Sequence, residues 1–165
     1  MEKIKSPMTR RQFIEGLSAI AGSAALNGLV PWISLLNADV PAKVSACDKV
    51  NIAVLGPGSR GTLLMLHLLN IPSVNIVAVC DDYPPHLERA VQLTEGKASG
   101  YTDYRKMLEQ KNIDGVVIAT PLHLHTQMCL DCFDAEKHVF CEKALTKTLE
   151  ETVRLNNAQK ATGRI

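Results

Sequence analysis

The sequence predicts an α/β fold, a doubly wound parallel sheet of the Rossmann type, and two observations lead to it. From residue 50 onward, short apolar stretches that suit buried strands alternate with amphipathic stretches of helical period. The first strand, Val50–Leu55, runs into a turn with the spacing G-x-G-x-x-G, which joins strand to helix in dinucleotide-binding sheets. The chain ends before the last strand of such a sheet, so we predict a sheet that is incomplete at that strand.

Each glycine of the turn has its own expected role. Gly56 permits the tight bend, Gly58 lets a pyrophosphate approach the backbone, and Gly61 lets the next helix lie close to the strand. That helix, from Ser59 to about Leu69, would direct free N–H groups and a positive dipole end at the phosphates. We therefore predict that the three glycines, with Ser59 and Arg60, bind the cofactor.

An acidic residue follows the second predicted strand, Asn75–Cys80, at the position where such folds bind an adenosine ribose. This residue, Asp81, should favour NAD because its carboxylate would repel the 2′-phosphate of NADP. Arg60 leaves NADP open, since it lies close enough in sequence to bind that phosphate. A βαβ unit with a purely structural turn is the alternative to a cofactor site.

The remaining elements continue the alternation of strands and helices. We predict strands at 98–101, 115–119 and 139–141, helices at 86–94, 104–111 and 123–135, and a last helix that opens with the capping box Thr148–Glu151. The carboxyl ends of parallel strands meet at one edge, where ligands bind. The glycine turn, Asp81, Thr120-Pro121 with its histidines, and Glu142-Lys143 should therefore converge on one crevice.

The first 46 residues fall outside this pattern and are predicted to form a signal peptide and linker, with the Rossmann domain at 47–165. Thr9–Ile14 reads TRRQFI, a twin-arginine export motif, and a weakly charged apolar run follows to Leu36. This predicts export to the periplasm. A retained membrane anchor is the alternative, because residues 14–36 are long enough to span a bilayer. Val44–Cys47 resembles a lipoprotein cleavage box, although nearby charges argue against lipidation of Cys47.

Charge and composition limit the other partners. The chain has a net charge of +1 and only 4% aromatic residues, with no basic stripe, so nucleic acid is not an expected partner. His125, Cys129 and Cys132 have a helical spacing that could bind a metal ion. That helix face must also pack on the sheet, and no second ligand cluster exists, so we predict no metal site and mostly free thiols.

Several segments together resemble the amino-terminal domain of the Gfo/Idh/MocA oxidoreductases, a family that includes glucose-fructose oxidoreductase and inositol dehydrogenases. They are NIAVLGPGSRG at 51–61, AVCD at 78–81, ATPLHLH at 119–125 and KHVFCEK at 137–143. The match covers Lys49 to Ile165. The resemblance implies NAD, with NADP as an alternative, a sugar or polyol substrate and a homo-oligomeric full-length protein. It also implies that Lys143 is catalytic, and that the cofactor is bound by Thr120, Pro121, His125 and Glu142.

The sequence departs from the family pattern at two positions and in length. Leu122 replaces a common asparagine, and Ala144 replaces the proline that usually follows the Glu-Lys pair and often has a cis peptide. A cis bond before alanine would cost about 3 kcal/mol, which predicts a trans bond. Family members continue with a substrate domain, so the chain is expected to be an amino-terminal fragment. Alone, it should bind NAD weakly, turn over no sugar, and associate through the edge of strand 139–141.

Three functions remain open from the sequence. The first is a dehydrogenase acting on a sugar or related alcohol, in which the Lys143 ammonium would polarise a hydroxyl or stabilise an alkoxide. A surface ion pair is the plainer interpretation of that lysine. The second is an NAD-dependent glycosidase that oxidises its sugar transiently, as in the N-acetylgalactosaminidases that resemble this family. The third is a dinucleotide-binding fragment with no activity of its own.

Overall fold

The computed structural model describes residues 49–165 of the chain. The twin-arginine motif, the apolar run and the lipoprotein-like box at Cys47 lie outside the described residues, and export therefore stays a prediction.

The described residues form one parallel sheet, which confirms the predicted fold class. Its strands are β1 (Val50–Leu55), β2 (Val74–Cys80), β3 (Ser99–Tyr101), β4 (Gly115–Ile118) and β5 (His138–Cys141). They lie in the order β3-β2-β1-β4-β5, and all four neighbouring pairs are parallel. The chain first builds outward from β1 on one side and then crosses to β4 on the other. The switch point, where a ligand crevice is expected, therefore lies between β1 and β4.

Four helices connect the strands, α1 (Ser59–Leu69), α2 (Pro84–Leu93), α3 (Tyr104–Leu108) and α4 (Leu122–Asp134), and a fifth, α5 (Leu149–Thr162), follows β5. Helix α2 begins two residues before its predicted start, because prolines are tolerated in a first turn that needs no N–H partners. Helix α5 opens with the predicted capping box, in which Thr148 and Glu151 exchange hydrogen bonds. No helix within residues 49–165 is long and apolar enough to cross a membrane.

The core has two layers, one on each face of the sheet. Successive residues of β1 point to opposite faces of the sheet and so belong to different layers. Ala53 and Leu55 pack in the layer with α4 and α5, and Val54 packs in the layer with α1 and α2. Strands β1 and β4 are almost wholly buried at their carboxyl ends. The loops that follow them therefore begin from rigid positions.

Strand β5 lies at the edge of the described sheet, and the edge is only partly open. The Val139 N–H donates to the carbonyl oxygen of Ile165 at 2.7 Å, and the Ile165 N–H donates to His138 Nδ1 at 3.1 Å. The edge through which the fragment was expected to associate is therefore already paired at Val139, because the last residues of the chain run beside it. Phe140 remains 56% exposed on the same strand.

Candidate dinucleotide crevice

A crevice of about 590 Å³ opens at the carboxyl ends of β1, β2 and β4, at the predicted switch point. Of the residues predicted to bind the cofactor, five line it directly: Gly56, Gly58, Asp81, Thr120 and Pro121. Parallel strands bring these side chains together although they are far apart in the sequence.

The three glycines of the turn are required for different reasons. Gly56 has φ +75°, and a Cβ there would lie 2.8 Å from Thr120 Cγ2. A Cβ on Gly61 would lie 2.2 Å from the Gly56 carbonyl oxygen, so the helix can approach the turn only with glycine. Gly58 differs, since its nearest neighbour would be His86 Cε1 at 3.4 Å. The fold therefore has room for a Cβ at Gly58. A pyrophosphate bound at the turn would need that same space.

The amino end of α1 is suited to an anion. Its N-cap is Gly58, which has no side chain to accept from the first-turn N–H groups, and the first turn holds no acidic residue. Free N–H groups at a helix start favour a phosphate or carboxylate. The backbone around Ser59 therefore fits the pyrophosphate of a dinucleotide, as the glycine spacing predicts.

Asp81 is held firmly at the β2 end of the crevice. Its Oδ1 accepts from the Tyr83 N–H at 2.9 Å, and its Oδ2 lies 3.2 Å from His86 Nδ1. Burial, and then the Asp81 charge, raises the pKa of the neighbouring Cys80 thiol to about 12, so Cys80 stays neutral. The remaining lone pairs of the carboxylate can accept hydrogen bonds from ribose hydroxyls.

Arg60 lies toward β5 and away from Asp81. Its Nε and Nη2 both lie 2.6 Å from Glu142 Oε1, and this contact holds the pKa of the Glu142 carboxyl below its ordinary value. Glu142 follows β5 and Asp81 follows β2, three strand spacings or about 14 Å apart. In this structure Arg60 is therefore paired with Glu142, far from the place where a 2′-phosphate would lie.

Lys143 is exposed at the end of β5, in a segment fixed by its neighbours. The Lys143 N–H donates to Glu142 Oε2 at 3.2 Å, and the Ala144 carbonyl oxygen lies 2.9 Å from His125 Nδ1. The Lys143–Ala144 peptide bond is cis, so the expected trans bond is wrong. The prediction used only the identity of Ala144, whereas contacts with residues remote in sequence hold this segment.

His125 supports the crevice from behind and is not among the residues that line it. The residue is 2% exposed, and its ring Nε2 lies 2.7 Å from the carbonyl oxygen of Thr120. With the contact to Ala144, the ring joins the end of β4 to the Lys143 segment. We therefore assign His125 a positioning role, where the sequence suggested direct contact with the cofactor.

The metal hypothesis has no geometric support in the described residues. Both ring nitrogens of His125 contact carbonyl oxygens, while Cys129 and Cys132 are buried on the core face of α4. Within residues 49–165 no group of three or more metal-binding side chains occurs. The four cysteines in that range are free thiols.

Several crevice residues escaped the sequence analysis: Tyr83, His86, Thr102, Tyr104 and Met128. His86 adjoins two of the predicted site residues, because its ring lies next to Gly58 and its Nδ1 contacts the Asp81 carboxylate. No motif marks this histidine. The only available signal was its place in the first turn of the helix after Asp81.

Comparison with known proteins supports a dinucleotide site. A family model described as "Oxidoreductase family, NAD-binding Rossmann fold" matches residues 50–165. A curated relative from Stenotrophomonas maltophilia, named glycosyl hydrolase family 109 protein, is 32% identical over 94% of this chain. That alignment covers 34% of the relative, so the chain spans about a third of the length of such relatives.

Solved structures show the same fold. Myo-inositol 2-dehydrogenase from Lactobacillus plantarum is 30% identical, with a TM-score of 0.66 over 71% of this chain and 35% of that one. The WlbA dehydrogenase from Bordetella pertussis, solved with NADH and UDP-GlcNAcA, is 26% identical, with a TM-score of 0.66 over 70% of this chain and 35% of its own. The crevice described above is thus set in a fold shared with two dehydrogenases, one of them solved with NADH.

Proposed function

The chain belongs to the Gfo/Idh/MocA oxidoreductase family as an NAD-binding Rossmann domain, and we propose that it supports hydride transfer between NAD and a sugar, polyol or related alcohol. One observation carries the proposal: the crevice has a fixed carboxylate at its β2 end and the segment bearing Lys143 beyond its β4 end. An extended dinucleotide needs separate sites for its adenosine and nicotinamide halves, and this edge offers both.

The residues present fit the cofactor from one end of the edge to the other. Asp81 would bind the adenosine ribose, the N–H groups at the start of α1 would bind the pyrophosphate, and Thr120 with Pro121 would border the nicotinamide half. When bound, NAD would supply hydride acceptance and donation. The protein would contribute orientation and a partly enclosed site, since Gly58 leaves room where the diphosphate must lie.

Lys143 is the residue that we propose for proton chemistry. The residue is exposed, while its backbone N–H donates to the Glu142 carboxylate. The carbonyl oxygen of the next residue, Ala144, contacts the His125 ring. A cation at this point could polarise the substrate hydroxyl and stabilise the alkoxide that develops as hydride leaves the carbon. The substrate itself would be bound largely by parts of the parent protein beyond this domain.

A glycosidase is the second candidate, favoured by the curated relative named as a glycosyl hydrolase. In such an enzyme the sugar would be oxidised, lose its aglycone, add water and be reduced again, with no net redox change. The same crevice serves both candidates, because each begins with removal of hydride from a sugar carbon. They differ in whether NAD is consumed.

The intact gene product separates these candidates in one assay. We expect purified protein either to reduce added NAD with sugars or polyols, or to release nitrophenol from aryl glycosides without added NAD. Lys143→Met should lower either activity by about 100-fold or more, the range for a lost acid–base group. Lys147→Met, an exposed lysine four residues further along the chain, is the matched control. Full activity of the Lys143 variant would overturn its role.

Cofactor preference gives a separate prediction. We expect NAD to bind about tenfold more tightly than NADP, a difference of about 1.4 kcal/mol, because Asp81 would repel a 2′-phosphate. Asp81→Ala should narrow the ratio of the two dissociation constants, measured by calorimetry. Arg60→Ala should leave this ratio unchanged, because Arg60 contacts Glu142 in this structure. Tighter binding of NADP by the unmodified protein would contradict the assignment.

A further inference from the structure

One carboxylate joins the glycine turn to the segment that bears Lys143. Both Nε and Nη2 of Arg60 lie 2.6 Å from Glu142 Oε1, and the other oxygen, Oε2, accepts from the Lys143 N–H at 3.2 Å. Arg60 stands in the first turn of α1, and Lys143 stands just after β5. An unbroken run of hydrogen bonds therefore leads from the start of α1 to the backbone of Lys143.

The bridge between Arg60 and Glu142 crosses the end of β4. Arg60 follows β1 and Glu142 follows β5, and β4 lies between these two strands. Their carboxyl ends are two strand spacings, or about 9.5 Å, apart, a distance that an arginine and a glutamate side chain together can span. The Glu142 N–H also donates to the Ile118 carbonyl oxygen at 2.9 Å, so the backbone that carries the carboxylate is fixed to β4.

This ion pair differs from an ordinary surface pair. An exposed pair contributes little to stability, because both ions are well solvated when apart. Glu142, in contrast, is 8% exposed, so its carboxylate would be poorly solvated there without a partner. Two short bonds to one oxygen also restrict the carboxylate more than a single contact would. Loss of Arg60 should therefore make Glu142 turn toward water, and its bond to the Lys143 N–H should be lost with it.

The diphosphate of a cofactor is the alternative partner for Arg60. A diphosphate is expected at the start of α1, and the sequence favoured a contact with this arginine. In the structure, two donors of the guanidinium point to Glu142 instead. Arg60 is also not among the described residues that line the crevice. A cation in the first turn opposes the helix dipole, and the Glu142 carboxylate offsets that charge.

We propose that Arg60 is a positioning residue, which holds the backbone of Lys143 at the crevice edge through the Glu142 carboxylate and does not bind the cofactor. The catalytic role of Lys143 rests on the proposed function. The link from Arg60 to the Lys143 backbone does not depend on that function, because it follows from the contacts of Glu142 alone.

Hydrogen exchange of backbone amides tests the link without any enzyme activity. In the full chain labelled with nitrogen-15, Arg60→Met should make the Lys143 amide exchange about tenfold faster or more, because its acceptor is no longer held. The Gly56 amide, which donates to the Cys80 carbonyl oxygen, should keep its rate if the sheet is intact. Arg154→Met, an exposed arginine on α5, is the control variant. An unchanged rate at Lys143 in Arg60→Met would overturn the proposal.

Kinetics of the intact gene product test the consequence for Lys143. Arg60→Met should lower kcat about tenfold at saturating NAD, as for a displaced catalytic group, and should change the NAD dissociation constant less than about twofold. Glu142→Gln should also lower kcat, and the double variant should be no slower than the slower single variant, because both act through one contact.

Two kinetic results would contradict the proposal. An unchanged kcat in Arg60→Met would overturn the positioning role, and a large rise in the NAD dissociation constant would make Arg60 a cofactor ligand instead. Should the expected exchange at the Lys143 amide be found while Lys143→Met is fully active, the proposed function fails and the link from Arg60 to the Lys143 backbone stands.

Discussion

Gly58→Val is expected to abolish detectable NAD binding while leaving the domain folded. The residue lines the crevice, and its φ of −65° is open to any L-amino acid. An added Cβ would meet only the His86 ring, with Cε1 at an ordinary 3.4 Å and Nδ1 at 3.7 Å, so the protein itself offers little resistance. The isopropyl group would instead fill the space through which a pyrophosphate reaches the first-turn N–H groups of α1.

The expected loss of affinity is at least about 100-fold, or about 2.7 kcal/mol. Calorimetric titration with NAD measures it, and circular dichroism with thermal melting shows that the fold survives. Gly58→Ala should give an intermediate loss, because a methyl group fills less of the same space. If Gly58→Val bound NAD as tightly as the unmodified protein, the pyrophosphate could not lie at this turn.

Gly61→Ala is expected to damage the fold as well as the site. Its Cβ would lie 2.2 Å from the backbone oxygen of Gly56. No rotamer change relieves this clash, because the backbone conformation alone sets the positions of a Cβ and of a carbonyl oxygen. Helix α1 must then move away from β1, which disturbs the packing of Met65 in the core layer beneath it.

We expect Gly61→Ala to destabilise the domain by about 2–3 kcal/mol, the range for overpacking a close contact. The corresponding fall in melting temperature is on the order of 10 °C for a domain of this size. Chemical denaturation measures the free energy of unfolding, and NAD titration should show weakened binding. A variant as stable as the parent would mean that turn and helix are less closely packed than described.

Together the two variants separate the roles of neighbouring glycines in one motif. Gly58→Val should lose binding with little loss of stability, and Gly61→Ala should lose both. Unchanged NAD binding by Gly58→Val would indicate that the motif acts only as a structural turn, which is the alternative that the sequence left open.

Much of the fold was predictable because its causes are local. Strand β1 is a continuous apolar run, α1 follows a glycine turn, and α5 begins at a capping box, and each signal lies within a few residues of the structure it produces. Parallel pairing then places the strand ends at one edge, so the convergence of Asp81, Thr120 and the glycine turn also followed from the pattern.

The pairing of side chains within the site was decided by the tertiary structure. Arg60 contacts Glu142 across 82 positions, and His125 contacts the Ala144 carbonyl across 19. The sequence by itself determined the order of strands and helices, the glycine turn and the edge at which a dinucleotide binds, because those depend on neighbours in the chain. It could not determine that Arg60 turns toward β5, that His125 lies behind the crevice, or that the Lys143–Ala144 bond is cis. Those features depend on which distant groups the packed sheet brings within hydrogen-bonding distance.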